Sequence, residues 1–284
     1  MLKILISGSD SRLSFFIKPL LNDSSFDCIF LRRNDFDLSN TIQVKRQIEL
    51  LKPNLLINCV SINNVDLIEE NDAEALSINA KSLIPLSHIC SKNNICLMHI
   101  STNYIFDGIN EFYYEHSTPN PLSKYGKSKL LGENLIKENL RTYYIIRTSN
   151  LCSLKNKNIL TNTLNQIKLK DYVNFVNDYY ISLTWYEDLA LLIYKIAERF
   201  NTSNHIEYGT YHYSSFFPIT YFDFAKYLLN RFYPNKKTII NPIKHFDYKN
   251  FNFSIRPVKS HLVSDKICSI LNCDNLKTRS IEEI

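Results

Sequence analysis

Short apolar runs and longer segments of helical pattern alternate along the first half of the chain. Strand-length runs occur at Lys3–Ser7, Asp27–Leu31, Leu55–Asn58, Cys96–Ile100 and Tyr143–Ile146, and segments of helical length and pattern separate them. This βαβ repetition predicts a parallel sheet with helices on both faces. Crossovers between parallel strands are right-handed, so the expected architecture over residues 1–150 is a doubly wound α/β domain. Ligands of such a sheet sit beyond the carboxyl ends of its strands. Functional residues are therefore sought just after each apolar run.

Past about residue 150 the alternation weakens, with an aromatic-rich stretch at Tyr208–Phe217 and a basic, proline-marked one at Asn241–Pro257. These predict a smaller, irregular substrate-binding lobe over 151–177 and 205–284. Between its two parts, Trp185–Phe200 has helical periodicity, and residues 178–204 are expected to return to the first sheet. No internal repeat or low-complexity tract interrupts the chain.

The chain has 284 residues, 45% of them hydrophobic, which is enough for one large domain or two closely joined ones. A net charge of +5, spread along the chain, argues against a nucleic-acid or membrane partner. The opening apolar run is too short for a secretory core, and no run reaches the ~18 apolar residues of a membrane span. Seven cysteines without a CxxC pair fit a reducing cytoplasmic setting. No metal is expected.

The sharpest chemical pattern is Tyr125-Gly126-Lys127-Ser128-Lys129. On a helix Tyr125 and Lys129 share a face. An ordinary tyrosine has a pKa of about 10, and a neighbouring ammonium brings the phenol into range as a proton donor. Upstream, the fourth apolar run ends in Ile100-Ser101-Thr102-Asn103, which places a hydroxyl at a strand end. Thr102, Tyr125 and Lys129 in one cleft would polarise a carbonyl and protonate its oxygen as hydride arrives at carbon.

After the first strand, Gly8-Ser9-Asp10-Ser11-Arg12-Leu13-Ser14 keeps the first glycine of a phosphate-binding turn and replaces the next two by serine. Ser11 can still present its N–H at a helix N-terminus, but each serine adds a Cβ where dinucleotide folds are tight. A plain capped loop is the alternative. After the second strand, Arg32 and Arg33 favour a 2′-phosphate, and hence NADPH with NADH as second option; a solvated basic loop is again the alternative.

At this point a resemblance joins the residues. Asp35-Phe36-Asp37-Leu38-Ser39, Ile57-Asn58-Cys59, Asn79-Ala80, Ser101 to Gly108, Pro121 to Glu133 and Ile255-Arg256-Pro257 occur in an order and spacing that resembles the extended short-chain dehydrogenase/reductases. Within them the chain is most similar to the dTDP-4-dehydrorhamnose reductase family. The resemblance implies a Rossmann-type fold and a catalytic set of Thr102, Tyr125 and Lys129. It implies cofactor contacts at Ser11, Arg12, Leu13, Asp37, Leu38, Ser61, Ile62, Asn63 and Lys129, and Gly8, Arg32, Arg33, Ile100 and Tyr125 are expected to complete the cofactor site. It also implies sugar-nucleotide contacts at Thr102, Asn103, Asn150 and Arg256. The family usually carries Asp at the position of Asn103, Trp at that of Asn150, and alanines at those of Cys59, Val60 and Ser61.

The implied function is NAD(P)H-dependent reduction of a nucleotide-linked 4-keto-6-deoxysugar, in a chain compatible with homo-oligomers. The serine-substituted turn leaves open a non-catalytic nucleotide-binding subunit on the same fold, and the shared triad leaves open a 4-epimerase.

Overall fold

Alternate residues of each central strand enter opposite cores, and this builds the molecule outward from its sheet. The computed structural model describes residues 1–22, 26–200, 202, 205–244 and 254–283. The first half runs β1 (Lys3–Ser7), α1 (Arg12–Asn22), β2 (Asp27–Leu31), α2 (Thr41–Leu51), β3 (Leu55–Asn58), α3 (Val65–Glu70) and α4 (Ala73–Leu76). A π-helical turn at Ser77–Lys81 follows, then α5 (Leu83–Lys92), β4 (Cys96–Thr102), β5 (Phe112–Tyr113), α6 (Lys124–Asn139) and β6 (Tyr143–Thr148).

The second half contains β7 (Asn150–Cys152), α7 (Ile159–Leu169), β8 (Tyr172–Val176), β9 (Tyr180–Ile181), β10 (Leu183–Trp185) and α8 (Tyr186–Phe200). It continues through β11 (Gly209–Tyr213), β12 (Ile219–Thr220), α9 (Tyr221–Phe232), β13 (Ile239–Ile243), β14 (His261–Leu262) and α10 (Asp265–Leu271).

Six parallel strands form the central sheet in the order β11-β6-β4-β3-β1-β2. One face carries Ile4, Ile6, Ile57, Met98 and Ile146, covered by α1 and α8. The other carries Leu5, Leu56, Leu97 and Ile145, covered by α2, α5 and α6. Both faces are dry, so the strands read as continuous apolar runs rather than as alternation. The register Ser101↔Arg147 and Thr102↔Thr148 carries β4 and β6 two residues past the predicted ends, where polar residues pair because each has a buried partner.

The chain leaves β1 for β2 on one side and places β3 on the other. A crevice therefore opens between the carboxyl ends of β1 and β3, the switch point where such sheets bind ligands.

A third core, built on Leu160, Ile167, Phe175, Leu183, Phe224 and Leu228, organises the smaller lobe. Helix α8 lies back on the sheet beside α1, where Tyr186 stacks on Phe16 at 5.2 Å. One expectation is corrected here. Residues 205–284 do not all belong to the lobe, because β11 is the edge strand of the main sheet, and Ile267, Leu271 and Leu276 join its first core. Gly209-Thr-Tyr-His-Tyr is buried through aromatic rings, with Tyr211 and Tyr213 in the core, so it shows no aliphatic run. Residues 245–253 of the predicted basic stretch lie outside the described residues.

Candidate active site

The N-terminus of α6 is pressed against the turn that follows β4. Ser123 caps the helix by accepting the Gly126 N–H at 3.1 Å. A Cβ at Gly126 would fall 2.2 Å from the Tyr104 carbonyl oxygen, so only glycine permits this approach. Tyr125 and Lys129 then face Thr102 at the end of β4, and all three line one cavity of about 320 Å³. The rings of Tyr104 and Tyr125 meet edge to face at 5.7 Å.

Burial pushes the Tyr125 phenol up to about 12, against the pull of hydrogen bonding with Thr102 and Ser61. It is therefore a protonated phenol at neutral pH. Burial lowers Lys129 to about 8, with the Glu133 charge acting in the opposite direction. Lys129 Nζ donates to the Ile100 carbonyl at 2.8 Å and lies 3.0 Å from His99 Nε2. His99 is held well below the usual imidazole range by burial and by the Lys129 charge, so it is neutral.

The opposite wall is the turn after β1. Gly8 has φ +73°, a left-handed conformation that glycine adopts without strain. The two serines in place of glycine bond to each other. Ser14 Oγ donates to the Gly8 carbonyl at 2.9 Å, Ser11 Oγ donates to Ser14 Oγ at 3.0 Å, and the Ser14 N–H donates to Ser11 Oγ at 3.2 Å. The turn is closed by hydroxyls, and Ser11, Arg12 and Leu13 line the cavity at the start of α1.

Across from it, Asn79 in the π-helical turn clamps the loop after β3. Its Oδ1 accepts the Ile62 N–H at 2.9 Å and its Nδ2 donates to the Ile62 carbonyl at 2.8 Å and to Ser128 Oγ at 3.1 Å. That clamp sets Ser61 and Asn63 on the cavity wall. π-Helical turns of this kind recur at functional sites.

The cavity lining includes Arg12 and Lys129 and no carboxylate. An anionic dinucleotide fits this donor set, with the N-terminus of α1 and the Arg12 guanidinium, which also donates to the Lys157 carbonyl, for its phosphates and Lys129 for a ribose. Among the described residues no group of three or more His, Cys, Asp or Glu side chains could hold a metal ion. No described helix is long and apolar enough to cross a membrane.

The cavity also takes in Ile100, Asn103 and Asn150, and an adjoining opening of about 860 Å³ is lined by Arg256, Asn150 and Arg12. Asn103 Nδ2 donates to Ser260 Oγ at 2.7 Å, which ties the β4 turn to the C-terminal segment. Asn150 donates to the Ser182 carbonyl. Arg256 makes a two-pronged contact with Asp66, at 3.0 and 2.9 Å.

Gly8, Arg32, Arg33, Asp37, Leu38 and Ile62 stand off the lining of these hollows. Leu38 is in the core. Arg32 pairs with Asp10, which lines the adjoining opening, and Arg33 pairs with Asp37 and Glu74, outside both hollows. The sequence assigns no role to His99, Asn58 or Asn79. Asn58 and Asn79 stand in stretches that carry the family resemblance, and His99 shows as a polar residue in an apolar run.

The model of the RmlD substrate binding domain family matches residues 2–279. A dTDP-4-dehydrorhamnose reductase of Aggregatibacter actinomycetemcomitans is 29% identical over 273 residues, 94% of this chain and 92% of that protein. The crystal structure of a dTDP-4-dehydrorhamnose reductase from Clostridium acetobutylicum superposes with a TM-score of 0.87 at 30% identity, covering 99% of this chain and 96% of the other. One from Bacillus anthracis, solved in complex with NADP, gives 0.85 at 28% identity, covering 94% and 92%. With its match running almost end to end, the chain belongs to the RmlD substrate binding domain family, within the extended short-chain dehydrogenase/reductases.

Proposed function

We propose that this protein is an NADPH-dependent reductase of a nucleotide-linked 4-keto-6-deoxysugar, with dTDP-4-dehydrorhamnose the substrate its relatives' names favour. The observation that carries the reading is the meeting of Thr102, Tyr125 and Lys129 on one cavity wall, opposite a helix N-terminus suited to a dinucleotide. A non-catalytic subunit would have no use for that convergence.

Bound NADPH supplies hydride to the sugar C4. Thr102 donates a hydrogen bond to the carbonyl oxygen and stabilises the charge that develops there. Tyr125 gives its proton to that oxygen. The Lys129 ammonium, one helical turn away, stabilises the phenolate left behind and holds the nicotinamide ribose. Arg256 and Asn150, in the adjoining opening, hold the diphosphate and the sugar. The same reading places the protein in the cytoplasm, in deoxysugar and surface-polysaccharide synthesis, where it can act as a homo-oligomer.

The test is NADPH oxidation, followed by absorbance, with dTDP-4-dehydrorhamnose and a panel of other 4-keto sugar nucleotides. Substrate-dependent oxidation is expected. Its absence with every member of the panel overturns the reading.

A further inference from the structure

Behind the cavity, a buried chain of side chains fixes which nitrogen of His99 carries its proton. The Val60 N–H donates to Asn58 Oδ1 at 3.0 Å, and the Ser7 hydroxyl donates to the same oxygen at 3.0 Å. A main-chain N–H can only donate, so the Asn58 oxygen must face it. The Asn58 amide nitrogen then faces His99 Nδ1, at 3.2 Å. Nδ1 accepts that hydrogen, and a neutral imidazole with Nδ1 as acceptor carries its proton on Nε2.

That Nε2–H points at Lys129 Nζ, 3.0 Å away. An ammonium has hydrogens and no lone pair, so in its charged form Lys129 sets hydrogen against hydrogen. The amine form accepts from His99 while still donating to the Ile100 carbonyl. We propose that His99, oriented by Asn58, is a positioning residue that favours the amine form of Lys129 and thereby sets the upper pH limit of the site. The inference rests on the reductase reading, in which the ammonium is the working form.

The other groups facing Lys129 do not replace this control. Tyr125, one turn earlier on α6, is a neutral phenol, and Tyr104, which also lines the cavity, meets the Tyr125 ring edge to face. Glu133, one turn later, favours the charged form, but its carboxylate is already met by Arg147 from β6 and by Lys137. Burial of Lys129 acts in the same direction as His99.

Two variants reverse the donor at Nε2. Asn58→Asp offers a carboxylate that accepts from Val60, Ser7 and His99 Nδ1–H, which leaves a lone pair on Nε2. His99→Gln can place an amide oxygen at the Nε2 position. Both are expected to move the alkaline limb of kcat/KM upward by about one pH unit, whereas a merely structural loss lowers the rate without moving the limb. Wild-type turnover with an unmoved limb in both variants overturns the inference. Absence of wild-type turnover on every keto sugar instead overturns the reductase reading.

A further measurement needs no variant to fold well and no turnover. The ¹⁵N spectrum of the histidine side chains at pH 9, in the wild-type protein, is expected to show His99 as the Nε2–H tautomer. An Nδ1–H tautomer overturns the inference.

Discussion

The Glu133 carboxylate meets the Arg147 guanidinium at 2.7 Å with both side chains out of solvent, one helical turn beyond Lys129. Ser101 donates to the same carboxylate at 2.6 Å, so the pair binds α6 to the ends of β4 and β6. Removing one member leaves the other charged and buried. Glu133→Gln or Arg147→Met is expected to cost about 3–5 kcal/mol, read by urea unfolding.

The same pair gives the protein an acid dependence. Burial pushes the Glu133 carboxyl up, but Arg147, Lys137 and Ser101 outweigh it and hold the pKa below the usual carboxylate value. Its stabilisation is therefore fully present above the ordinary carboxylate range and is lost as pH falls through the folded-state pKa. Unfolding free energy measured against pH is expected to fall less steeply in Glu133→Gln at the acid end than in the parent protein.

Tyr125→Phe removes the proton donor and keeps the ring. It is expected to lower kcat by about 10²- to 10⁴-fold while NADPH binding stays within about threefold, a change of under 1 kcal/mol. Full activity in this variant removes the mechanism.

Gly126→Ala drives a Cβ into the Tyr104 carbonyl. A forced shift of α6 is expected to cost about 1–3 kcal/mol, to lower Tm, and to reduce kcat/KM by displacing Tyr125. Lys127→Ala, one residue on and exposed, serves as the control, expected within about 0.5 kcal/mol of the parent.

Ser11→Gly restores the glycine of a phosphate turn. Because the Ser11 hydroxyl donates to Ser14, the substitution is expected to leave NADPH affinity nearly unchanged in calorimetry. A loss of tenfold, about 1.4 kcal/mol, would show that the hydroxyl instead bonds phosphate.

The sheet was legible because its strands are buried on both faces: Leu55–Asn58 is wholly buried and reads as an unbroken apolar run. β11 was not, since its buried positions are tyrosines and His212, whose ring lies 3.1 Å from the Tyr113 carbonyl, far away in sequence. Tyr125 and Lys129 were visible because helical spacing alone puts them on one face. His99 was hidden in the run Cys96–Ile100, where a single polar residue looks like an interruption, and its role depends on Asn58 and Lys129 from two other elements. The Asp66–Arg256 pair joins residues so far apart that no local pattern announces it.

The return of β11 and α10 to the main sheet means that the polypeptide crosses between its two halves several times. No single peptide can serve as a hinge for such a molecule, and cutting after β6 would leave the first half without the helix and edge strand that shield it. The halves must mature together, and a truncation that removes α10 is expected to damage the nucleotide-binding half as well as the lobe it is cut from.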